Sequence, residues 1–211
     1  MHYYAAFDSE TGGLNPEESD MLTFYMAILD EDFKQVDELS LKLKPDGGRI
    51  PIAHQDALRV NGIDIHKHLE DSETITYSEG NKAVIKLLKK YYKKSGKASN
   101  IRPMGQNVQF DLDFIWKHLV PRNEWNSLVH YGKIDTKLCV DFMKDCGLFP
   151  KELGSLTTVV DYLEIPKRNA HDAKNDTLMC VEVYKRLIEI MKSKKESSST
   201  QADIISMLEA E

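Results

Sequence analysis

The order of strand-like and helix-like segments in this 211-residue chain predicts an α/β protein built on a central mixed five-stranded sheet flanked by helices. Three β-rich runs open the chain, two of them joined by a tight turn, so part of the sheet is antiparallel. Helices and strands then alternate, the pattern of parallel strands with helical crossovers. The strands begin with residues 2–8 (HYYAAFD), 21–30 (MLTFYMAILD) and 33–44 (FKQVDELSLKLK), the last two flanking the turn Asp30-Glu31-Asp32. Pro45-Asp46-Gly47-Gly48 is a loop, and a short helix over 54–60 is stopped at Asn61-Gly62. A longer helix over 78–94 carries an apolar stripe through Ala83, Ile85, Leu87, Leu88, Tyr91 and Tyr92, with Ser95-Gly96 as its stop. A strand at 101–106 passes through Asn107 into a helix over 110–119. A strand near 129–134 precedes helices over 135–145, 153–162 and 172–192.

That length suits one domain, placed at 1–192. Beyond it, 193–211 is serine-rich and polar, which predicts a flexible tail with a short amphipathic stretch from Ala202 to Leu208. No apolar run approaches the roughly 20 residues that span a bilayer. The N-terminus lacks the basic and apolar regions of a secretory signal. The expectation is a soluble, cytoplasmic protein without a membrane partner. Cys139, Cys146 and Cys180 are an odd number with no CxxC pair, which predicts free thiols. His66 and His68 have no cysteine nearby to build a zinc site and read as surface residues. The net charge of −6 is not that of a typical nucleic-acid binder. The lysine-rich run through Lys86, Lys89, Lys90, Lys93, Lys94 and Lys97 reads as a solvated helix face.

Three acidic clusters carry the chemistry. Asp8 and Glu10 lie two apart on a strand and so project from one face. Neighbouring carboxylates repel unless a cation sits between them, and hard divalent cations take such oxygen ligands. Asp-x-Glu alone is common by chance. Asp111 falls in the first turn of the 110–119 helix, where the helix dipole favours an anion. Phe114 and Ile115 share its side, so it faces inward, whereas Asp113 faces away. Asp172 is an N-cap candidate for the last helix. Asp176 shares a stripe with Ala173, Thr177, Cys180, Tyr184 and Leu187, and a carboxylate there needs a partner.

Together these segments resemble the DEDD exonucleases of the DnaQ-like group, in the DEDDh branch. The first motif is Phe7-Asp8-Ser9-Glu10-Thr11-Gly12-Gly13-Leu14-Asn15-Pro16. The second is Gly105-Gln106-Asn107-Val108-Gln109-Phe110-Asp111, and the third is His171-Asp172-Ala173-Lys174-Asn175-Asp176. The resemblance spans roughly residues 3–190. It departs at Gly12, where family members often carry a second threonine.

The resemblance implies an RNase H-like fold and two divalent ions, Mg²⁺ or Mn²⁺, at Asp8, Glu10, Asp111 and Asp176. It implies His171 as general base and release of 5′-mononucleotides. Thr11, Gly12 and Leu14 would hold the 3′-terminal nucleotide, with Asn107 and Phe110 lining the same cleft. Lys167 and Arg168 would contact phosphate. The expected function is a 3′–5′ exonuclease on single-stranded or frayed 3′ ends, DNA ahead of RNA. The alternatives are a 3′–5′ exoribonuclease, an RNase H-like endonuclease and a catalytically silent polymerase accessory module. The C-terminal tail is a candidate contact for a replication or repair partner.

Overall fold

A computed structural model describes residues 2–95, 98–166 and 172–208. Strand β1 (Tyr3–Thr11) pairs antiparallel with β2 (Met21–Leu29), which pairs antiparallel with β3 (Gln35–Lys44). Helices α1 (Gln55–Asn61) and α2 (Ile65–Glu70) follow, then β4 (Thr74–Thr76), which lies parallel to β3. Helix α3 (Tyr77–Tyr91) leads into a small hairpin of β5 (Lys94–Ser95) and β6 (Ala98–Ser99). Strand β7 (Ile101–Gly105) runs parallel to β1. Helix α4 (Val108–Phe114) continues as a π-helical stretch, Ile115–Leu119, before α5 (Arg122–Leu128). Strand β8 (Ile134–Asp135) lies parallel to β7, and α6 (Thr136–Asp145), α7 (Leu156–Tyr162) and α8 (Ala173–Leu208) complete the chain.

The main sheet has the order β4-β3-β2-β1-β7-β8 and both strand directions, as expected. It has six strands rather than five, because β4 is three residues long and too short to show a period. The last strand starts at Ile134, not near 129. Residues 129–133 turn back instead, with the Gly132 N–H donating to His130 Nδ1 at 2.9 Å. Helices α2 and α5, six and seven residues long, were not legible as periodic segments. Helix α8 runs past residue 192 to Leu208, where composition predicted a linker. No Gly or Pro interrupts that stretch, and Lys, Glu, Gln and Ala all sustain a helix. His68 is buried, not superficial: its Nε2 lies 2.8 Å from the Leu43 carbonyl. The three cysteines are free, and Lys86, Lys89, Lys90, Lys93 and Lys94 are exposed. Among the described residues no helix is long and apolar enough to cross a membrane.

Strand alternation decides which face each side chain serves. Ala5 and Phe7 point into a core with Phe24, Val84, Leu88 and Trp125, under α3, α4 and α5. Ala6 points to the opposite face with Tyr25, Met104, Cys180 and Val181, under α8. The parity continues to the end of β1, so Asp8 and Glu10 fall on the α8 face and Ser9 on the α4 face.

Candidate active site

Glu10 is the last residue of β1 before its register with β2 shifts, between Glu10 and Thr11, and Asp8 lies two residues earlier, paired with Tyr25. Asp176 enters from the first turn of α8. Oxygen atoms of the three partly buried carboxylates lie within 4.8 Å of one another. Helix α8 begins with Asp172 as its cap, the Asn175 N–H donating to Asp172 Oδ1 at 3.1 Å. Burial pushes Asp8 well above the usual carboxylate range, and the charges of Asp111, Glu10 and Asp176 add to the effect. Glu10 is pushed up to about 7 by burial and then by Asp176, Asp111 and Asp172. Converging carboxylates that resist ionisation fit a divalent cation, whose charge would offset their repulsion.

Asp111 is the fourth acid, and it stands beside this trio rather than in it. It is 2% exposed and accepts a hydrogen bond from Ser9 Oγ at 2.6 Å. Burial pushes it up to about 7, opposed by the Ser9 bond. Ser9 projects to the α4 face, which accounts for Asp111 being held one residue's parity away from Asp8 and Glu10. Asp113 is exposed and accepts from Gln109 Nε2 at 2.6 Å, as its helical position requires.

The turn into α4 is held by a residue that sequence reasoning missed. Asn107 has a left-handed backbone, φ 54°. Its N–H and that of Val108 donate to the Asp135 carboxylate at 3.0 and 3.2 Å. Asp135 also caps α6 by accepting from the Lys137 N–H at 3.0 Å. One side chain therefore fixes two helix starts.

A cleft of about 550 Å³ opens beside Glu10. Thr11, Leu14 and Phe110 line it, and Leu14 is 87% exposed. The opposite wall is α1, through Ala57, Val60 and Asn61, with His54 just before it. The short helix was legible, but its place at the site was not, because nothing local marks a contact with β1. Asn107 is not among the lining residues. Gly12 lies behind the wall, and its carbonyl accepts from the His54 N–H at 2.7 Å. A Cβ on Gly12 would stand 2.3 Å from the Ile52 carbonyl oxygen, so the backbone as it stands leaves no room for the second threonine that family members often carry. Lys167, Arg168 and His171 lie outside the described residues.

No protein-family model matches the sequence, and no curated protein matches it. Solved structures do. E. coli exonuclease I in complex with a dT13 oligonucleotide aligns with a TM-score of 0.67 at 18% identity, over 94% of this chain and 43% of that one. The zinc-bound form of the E. coli exonuclease I–ssDNA complex gives 0.69 at 18%, over 92% and 41%. The enzyme from Methylocaldum szegediense gives 0.69 at 17%, over 92% and 42%. The chain thus spans less than half the length of the exonuclease I chains it matches. The RNase H-like fold expected from the three acidic motifs is the fold this chain has.

Proposed function

We propose that this chain is a metal-dependent 3′–5′ exonuclease that hydrolyses single-stranded DNA from its 3′ end to 5′-mononucleotides. The observation that carries the reading is the convergence of Asp8, Glu10 and Asp176 beside an open cleft on an exonuclease I fold. Asp8, Glu10 and Asp176 would hold two ions, Mg²⁺ or Mn²⁺, with Asp111 directly or through water. Bound there, the cations would neutralise the scissile phosphate and stabilise the leaving oxygen. His171 is the general base in this reading, because an imidazole titrates near working pH. Lys167 and Arg168 contact the phosphates. Thr11 and Leu14 seat the terminal nucleotide, with Leu14 wedged against its base. Phe110 faces it across the cleft, and Asn107 stands at the start of the helix that carries Asp111.

DNA is favoured over RNA because the exonuclease I structures hold deoxyoligonucleotides. Residues 1–192 form the nuclease unit in this reading, and 193–211 serve partner contact. The test is digestion of matched linear and circular single-stranded DNA and linear RNA, each with Mg²⁺ and with Mn²⁺. Stepwise release of 5′-mononucleotides from linear DNA alone supports the proposal. Cutting of the circle makes the protein an endonuclease, preference for RNA makes it an exoribonuclease, and no turnover makes it a binding module.

A further inference from the structure

Helix α1 forms one wall of the cleft, yet none of its seven residues is buried. A helix this short has little stability of its own. Only Ala57, Leu58 and Asn61 are even half-buried, so the polar ties at its ends carry much of its placement.

The front end is set by Asp20, whose side chain is 1% exposed. The Arg49 guanidinium donates to both its oxygens, at 2.6 and 2.7 Å. The Ile52 N–H donates to Oδ2 at 2.6 Å and the Tyr77 hydroxyl to Oδ1 at 3.1 Å. His118 Nδ1 stands 3.6 Å away. The backbone repeats the stitch: the Asp20 N–H donates to Ile52 O at 2.9 Å, and the Gly12 N–H donates to Asp20 O at 2.7 Å. The segment that enters α1 is therefore tied to the loop that leaves β1. The rear end is lighter. Asn61 Nδ2 donates to Thr11 O at 3.2 Å, and Asn61 Oδ1 accepts from the Ile63 N–H at 3.0 Å.

The Asp20 carboxylate is buried while Arg49 is half-exposed, so the pair joins the core to the surface segment that leads into α1. An Arg fork on a carboxylate is specific in direction as well as in distance. We propose that Asp20, acting through Arg49 and the Ile52 amide, is a positioning residue that sets the width of the cleft by anchoring α1. The inference rests on reading the cleft as the seat of a 3′-terminal nucleotide.

Asp20→Asn keeps the shape and loses the charge. Arg49→Lys keeps the charge and loses the fork, at a half-exposed position. Both are compared with the parent, full chain with Mg²⁺, on a short single-stranded DNA and on bis(4-nitrophenyl) phosphate, a diester with no nucleoside to seat. The expected result is a KM for DNA raised about tenfold in Asp20→Asn and less in Arg49→Lys, since a displaced binding wall weakens positioning. The kcat on DNA stays within about twofold, as does the rate on the nitrophenyl diester. Amide hydrogen exchange in α1 accelerates in both variants. An unchanged KM overturns the proposal. So does a parallel fall on both substrates, which marks general damage to the site. If the parent cleaves neither substrate, the exonuclease reading fails, and α1 exchange together with 5′-mononucleotide affinity decides the anchor by itself. Unchanged exchange overturns it.

Discussion

The two walls of the cleft are held in place by opposite means. The acidic wall grows from β1, where Ala5, Ala6 and Phe7 are at most 1% exposed and pack on both faces of the sheet. The α1 wall has no buried residue and hangs on Asp20 at one end and Asn61 at the other. The first arrangement suits groups that must converge within a few ångströms despite mutual repulsion, because close-packed interiors transmit force with little give. The second suits recognition, where width can be adjusted without touching the core.

The largest effect is expected from breaking the acidic wall chemically while leaving it packed. Asp8→Asn should lower Mg²⁺-dependent release from 3′-labelled DNA by about a thousandfold or more, the scale of loss when a metal-site acid is removed. The metal-free protein should respond in the opposite sense. Asp8 and Glu10 bind protons more tightly when folded than unfolded, as does Asp111. The folded state then holds more protons than the unfolded one between the unfolded carboxylate range, about 4, and about 7, so stability falls as pH rises through that window. Calorimetry of the metal-free parent should show a Tm several degrees lower at pH 7.5 than at pH 5, and Mg²⁺ should recover it. Asp8→Asn should flatten that pH dependence. A pH-independent Tm in the parent would break the claim that the carboxylates strain the wall.

A smaller effect separates the walls by stability alone. Phe7 is 1% exposed and meets Trp125 edge-on, with ring centroids 5.6 Å apart. Phe7→Ala should cost about 3–5 kcal/mol in urea unfolding, the range for a large aromatic removed from a core. Val60, on α1, is 60% exposed. Val60→Ala should cost no more than about 0.5 kcal/mol, as surface changes do. Equal costs would mean that α1 is packed rather than pinned.

The same division governs what was legible in the sequence. Asp8 and Glu10 could be placed together because a strand repeats every two residues, and Asp176 because it falls on a buried helical stripe. The inward side of Asp111 followed from Phe114 and Ile115, but its tie to Ser9, across 102 positions, had no local signal. The α1 wall was illegible for the same reason. Asp20 and Arg49 are separated by 29 positions and by no repeat that would bring them together. His68 was misread because its burial follows from a bond to Leu43, 25 positions away. Local periodicity encodes what the core holds, while polar clamps between loops become visible only once the chain is folded.

Gly12 joins the two walls and gives the smallest and most selective prediction. Its carbonyl accepts from His54 and its N–H donates to Asp20, so it lies on the seam between β1 and the approach to α1. An added methyl would meet the Ile52 carbonyl at 2.3 Å and the Ala53 Cα at 2.7 Å, both backbone atoms that cannot rotate away. The strain can be relieved by moving β1, which the core opposes, or by moving the 52–54 segment, which only the clamp opposes. Gly12→Ala should therefore displace the α1 wall and leave the acids in place. The expected outcome is a KM for single-stranded DNA raised about three- to tenfold with kcat nearly unchanged, and a stability loss of about 1–3 kcal/mol, typical of overpacking. If kcat falls instead while KM holds, the seam yields on the acidic side, and the wall assigned here as rigid is the softer of the two.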